Sequence, residues 1–140
     1  MKYTHLDKNT ILLRLEKGEE VIGSLTELAK IENINFSEFR GIGAVINPVI
    51  QFYNLHKIEY STKEFTGEYE IVNLSGNISS YKGDKVVHSH ANFSDKSFKV
   101  TGGHLKSALV AATLEVVLNI YPKKINRIFD QDIGLNLLEI

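Results

Sequence analysis

Leu109-Val110-Ala111-Ala112-Thr113-Leu114-Glu115-Val116-Val117-Leu118-Asn119-Ile120-Tyr121 is an apolar stretch that can be read with two periods, and the choice decides the fold. Together with Leu105 and Ala108, residues Leu109, Ala112 and Val116 fit a helical stripe. Yet Val110, Ala112, Leu114, Val116, Leu118 and Ile120 alternate, with Thr113, Glu115 and Asn119 on the other parity. Period two with β-branched enrichment buries one face of an extended chain, so a long strand is expected. Pro122 ends it. Upstream, Ser97 to Thr101 reads as a strand closed by a Gly102-Gly103 turn, and downstream Leu135 to Ile140 reads as a final strand after Asp132-Ile133-Gly134.

Working back toward the start, Val86 to Phe93 and the runs Glu68 to Ser75 and Asn77 to Tyr81 are strands. The turn Lys82-Gly83-Asp84 folds Asn77 to Tyr81 and Val86 to Phe93 into a hairpin. Ser37 to Ile46 and Val49 to Tyr53 are separated by the turn dipeptide Asn47-Pro48, and Gly41 and Gly43 suggest a bulge or the close approach of another backbone. From Glu19 to Asn33 the period becomes helical, with Val21, Leu25, Leu28 and Ala29 on one stripe and Asn33 as a left-handed cap. Thr10 to Leu15, ahead of the turn Glu16-Lys17-Gly18-Glu19, is a further strand. The expectation is one domain over residues 1–140 of mixed α/β (α+β) type.

Composition narrows the chemistry. With 140 residues and 43% hydrophobic content the chain can bury a core, and the absence of cysteine removes disulfides, thiolate zinc sites and cysteine nucleophiles together. No apolar run reaches the roughly 20 residues that cross a bilayer, and the polar start Met1-Lys2-Tyr3-Thr4-His5 lacks a signal-peptide core, so a cytoplasmic location and no membrane partner are expected. Sixteen basic residues face seventeen acidic ones. Nucleic-acid affinity comes mostly from neutralising phosphates, so DNA contact would need patches concentrated by oligomerisation. The basic cluster Lys123, Lys124 and Arg127 reads as a solvated loop face.

The concentrated chemistry is histidine. On a strand His88 and His90 project from one face with their Cα atoms about 6.6 to 6.8 Å apart, close enough for both imidazoles to tilt onto one ion. His104, behind Gly102-Gly103, is the third candidate if an antiparallel partner returns it to the pair. Three nitrogen ligands with one open position is a common catalytic zinc arrangement. The competing reading is a set of polar strand-face histidines at a subunit contact. His5 and His56 look like surface residues. Glu68, Glu70 and Glu115 are candidate bases or further ligands, and Glu115, inside an apolar run, would need a partner if buried. Gly41-Ile42-Gly43 lacks the rest of a dinucleotide fingerprint, no phosphate loop is present, and Ser75 and Ser107 lack a nucleophile elbow.

Arg40-Gly41-Ile42-Gly43-Ala44-Val45, Leu74-Ser75-Gly76-Asn77-Ile78, His88-Ser89-His90 and Gly102-Gly103-His104-Leu105 follow one another in an order that resembles the plants-and-prokaryotes conserved (PPC) domain, from about Ile11 to Ile140. The resemblance implies a mostly antiparallel β-sheet packed against one main helix, a homotrimer, and a zinc site on the histidines at 88, 90 and 104. Family members also bear the name DNA-binding protein, largely through plant AT-hook segments, and this sequence has no Arg-Gly-Arg-Pro hook. Three functions follow as expectations: a trimeric DNA-associated or regulatory module; a metal-dependent enzyme, a hydrolase for instance, or small-ligand binding protein using the same histidines; and a purely structural trimer. No catalytic residue and no ligand is assigned by the residues themselves.

Overall fold

In the second strand of the chain Ile11, Leu13 and Leu15 are buried while Leu12 and Arg14 point outward, the alternation that a one-sided core imposes on extended backbone. The computed structural model describes Met1–Ile140. In chain order its elements are β1 (Lys2–Asp7), β2 (Thr10–Glu16), α1 (Val21–Ile31), β3 (Phe36–Asn54), β4 (Glu59–Glu64), β5 (Glu68–Tyr81), β6 (Asp84–Ser94), β7 (Val100–Tyr121), β8 (Arg127–Asp130) and β9 (Leu135–Leu138).

The main sheet runs β1-β2-β7-β6-β5-β3-β4, with every neighbouring pair antiparallel. β7 also pairs with β3 from Tyr121 opposite Phe36 to His104 opposite Gln51. Because β7 thus borders both β6 and β3, the strands β7, β6, β5 and β3 close into a ring. β8 and β9 form a separate small hairpin. The architecture is mostly antiparallel β with a single short helix of 11 residues, which the α/β label overstates.

α1 presents Val21, Leu25, Leu28 and Ala29 to the strands, where they join one cluster with Leu13, Phe93 and Leu114. A fully buried side chain of this size contributes roughly 1.5–3 kcal/mol, so this stripe holds the helix in place more than its short length could. Its ends are also satisfied. The Glu20 carboxylate accepts from the Ile22 and Gly23 amides and, across the core, from the Ala108 amide at 3.2 Å. At the other end Asn33 is left-handed at φ 47, with Ile34 N–H donating to Ala29 O and Asn33 N–H to Lys30 O. The expected cap is therefore present, on a helix shorter at both ends than Glu19 to Asn33.

Three sequence expectations are corrected. Asn47-Pro48 does not separate two strands: β3 continues through it, with Asn47 at φ 52 and its side chain accepting from Gly67 N–H at 2.9 Å, and the ladder with β7 shifts register there. Gly102-Gly103 is not a turn but lies inside the 22 residues of β7. A β carbon on Gly102 would sit 2.7 Å from Asn92 Nδ2 and closer still to the Ala91 carbonyl, so glycine is needed for close strand packing. Glu115 is exposed on the outer face opposite Arg14 and Ile42, and no buried carboxylate has to be compensated. The long strand over Leu109 to Tyr121, the Lys82-Gly83 hairpin and the register shift at Gly41/Gly43 are as expected. No helix is long and apolar enough to cross a membrane.

Candidate metal centre

β6 alternates through the site. Ser89, Ala91 and Phe93 enter the core, so His88 and His90 must project from the other face. Antiparallel pairing then sets His104 of β7 directly opposite His90. The triad thus assembles across two neighbouring strands without the reversal expected at Gly102-Gly103. Beneath it, Gly76 of β5 pairs with Ser89, and a β carbon there would press on the His88 carbonyl and come within 2.5 Å of Phe39 Cζ.

The three rings are nearly equidistant, with centroid separations of 5.3 Å for His88–His90, 5.2 Å for His88–His104 and 5.4 Å for His90–His104. One nitrogen from each lies within 4.8 Å of the others. Two nitrogens on a tetrahedral zinc are about 3.3–3.4 Å apart, given bonds of about 2.0–2.1 Å, so side-chain rotation alone closes the gap. His88 and His104 are half-buried and His90 is exposed, which leaves one side of the triad open to solvent. Burial, and secondarily the charges of His104, Arg127 and His90, pushes the His88 imidazole down to about 4. His104 is also lowered, by burial first and then by His90 and Arg127. Both rings are therefore neutral at pH 7, with lone pairs free for an ion. The triad fits a divalent metal by donor type and number.

A cavity of about 330 Å³ opens beside the triad, walled by His88, His104, Tyr60, Arg127, Val87 and Leu137 among others. The Tyr60 ring lies 5.5 Å from His104, and burial raises its phenol above the usual range. Arg127 is half-buried and donates to Ser79 Oγ at 2.8 Å, Asn136 O at 2.8 Å and Asn77 Oδ1 at 2.9 Å. The expected solvated face of Lys123, Lys124 and Arg127 is therefore divided: the lysines are exposed, while Arg127 is turned inward. Among the other candidates, Glu68 and Glu70 lie at the far end of β5, His5 pairs with Glu32 at 3.1 Å, and His56 is exposed. Arg127, Tyr60 and Asn136 were not found from sequence. The available signal was Arg127 itself, one of only three arginines, set among Ile125, Ile128 and Phe129.

A model of the Plants and Prokaryotes Conserved (PCC) domain matches residues 4–122. Among solved structures, the chain is similar to a "putative dna binding protein" of Bacteroides thetaiotaomicron, at 29% identity and a TM-score of 0.95, covering 99% of this chain and 96% of that one. It is similar to a plant- and prokaryote-conserved (PPC) protein of Pyrococcus horikoshii, at 30% identity and a TM-score of 0.87, covering 99% and 94%. It is also similar to a metal-containing protein of Archaeoglobus fulgidus, at 33% identity and a TM-score of 0.87, covering 100% of both chains. No curated protein matches.

Proposed function

The chain belongs to the Plants and Prokaryotes Conserved (PCC) domain family, and on that premise we propose that it is a DNA-associated regulatory protein of the cytoplasm, one PPC-like domain over residues 1–140 that assembles as a homotrimer and holds zinc on His88, His90 and His104. The observation that carries the metal reading is the near-equilateral triangle of imidazoles. Zinc suits three nitrogen donors with an open fourth position, and the Archaeoglobus relative is described as metal-containing. Bound there, zinc supplies a Lewis-acidic site facing the cavity.

The DNA reading is supported by the description of the Bacteroides relative. The whole chain, at a net charge of −1, exerts no attractive field on a duplex. Contact would fall on the end of the molecule where Lys82, Lys123 and Lys124 are exposed and Lys85 feels the charge of Lys124, and a trimer would present that end three times. Ile42 and Val72, 61% and 53% exposed on the outer sheet face, leave apolar surface for neighbouring copies.

An electrophoretic titration tests the DNA reading: duplex retarded at low salt and released steeply as salt rises is expected, since each phosphate contact releases counterions. No retardation at low salt overturns it. Elemental analysis of untagged protein tests the metal: one zinc per chain in the wild type, lost in His90→Ala, is expected, and equal content in both overturns the site. Light scattering giving a monomer overturns the trimer.

A further inference from the structure

Arg127 is a half-buried guanidinium with no carboxylate within 4.0 Å. A charge withdrawn from water calls for an opposite partner, and here three neutral oxygens stand in its place. Those bonds occupy Nε, one N–H of Nη1 and one of Nη2. Of the five N–H donors of an arginine, one remains on each terminal nitrogen, enough donors for two oxygens of one carboxylate or phosphate. No acidic residue lines the cavity that Arg127 shares with His88 and His104. A divalent ion on the triad together with Arg127 would give the cavity three positive charges and no negative one. Val86, Val87, Leu135 and Leu137 give it apolar walls.

We propose that this cavity binds a small oxyanion, a carboxylate with a short aliphatic body, whose two oxygens pair with Arg127 while its apolar part rests on the valine and leucine walls. The inference deepens the metal reading, because an ion on the triad adds to the same positive potential, but Arg127 requires an anion without it. Phosphate shares the fork chemistry and lacks the apolar body, so the two sources separate in titration.

The test is calorimetric titration of zinc-loaded protein with butyrate, acetate, inorganic phosphate and butyramide, with the metal content of each sample measured. The expected order is butyrate tighter than acetate, with no binding of the neutral amide. Arg127→Gln should weaken butyrate roughly 10- to 100-fold, the range of hydrogen bonds to charged groups, with zinc content unchanged. Because Arg127 also braces β9, Arg127→Lys serves as the second variant: it keeps the positive charge but not the paired donors of the guanidinium, and should weaken butyrate even if Arg127→Gln fails to fold. Phosphate binding more tightly than butyrate overturns the carboxylate assignment. Equal binding by wild type and Arg127→Lys, or no saturable binding of either anion, overturns the inference. If the wild type takes up no zinc, the metal reading fails separately, and the same titration of metal-free protein still decides whether Arg127 holds the anion.

Discussion

The two faces of β6 are made by the same eleven residues and the same hydrogen-bond ladder, and they do opposite things. On one face Ser89, Ala91 and Phe93 are 1%, 1% and 0% exposed and pack into the core with α1. On the other, His88 and His90 meet His104 across the gap to β7, and His88 and His104 line a cavity with Tyr60, Arg127 and valine and leucine walls. The pleat alone separates stability from chemistry, one residue apart. The arrangement makes the core face a rigid floor on which the imidazoles are held.

If the faces are independent, the largest effect belongs to the floor. Phe93→Ala should cost roughly 3–5 kcal/mol of stability in denaturant unfolding, with metal uptake per folded molecule unchanged. A weaker but more informative change is Gly76→Ala, which strikes both faces at once by pressing on the His88 carbonyl and on Phe39. It should cost about 1–3 kcal/mol as an overpacked site does and should also lower zinc affinity; intact affinity would show that the floor does not position the ligands.

Acid tests the imidazole face alone. His88 is lowered in the fold from 6.5 to about 4, so the unfolded chain binds this proton more readily than the folded one. Its contribution to stability is present above pH 6.5 and declines as pH falls toward 4. Thermal unfolding of metal-free wild type and His88→Gln across that range checks it, with a flatter profile expected for the variant. The smallest effect is Ser89→Ala, which removes a 3.3 Å hydrogen bond to Ser75 O and should shift stability by about 1 kcal/mol or less, without touching metal content.

Much of this was legible in the sequence wherever one side of an element is buried and the other is not. The stripe of α1, the alternation of β2 and the second half of β7, and the Lys82-Gly83 turn announce themselves because their exposure is asymmetric. β1 and β4 were invisible for the converse reason: every residue in both is exposed, so neither carries an apolar period. Gly102-Gly103 was read as a turn because glycine serves both sharp reversal and close strand approach, and only the position of Ala91 and Asn92 tells them apart. The histidines were still brought together, since antiparallel neighbours suffice. β9 was expected within Leu135 to Ile140, but β8 and the inward turn of Arg127 escaped because a four-residue strand is too short to show a period, and a lone arginine after two lysines looks like solvent-facing charge.

β7 joins the far ends of the chain. Asn119 pairs with Thr10, and the same strand borders β3 and β6. During synthesis, Ile11, Leu13 and Leu15 emerge early and wait for partners more than a hundred residues away. Contacts of such long sequence separation slow folding toward the millisecond-to-second range. The apolar face of β2 thus lacks its strand partner for most of translation, until Leu118 has left the ribosome.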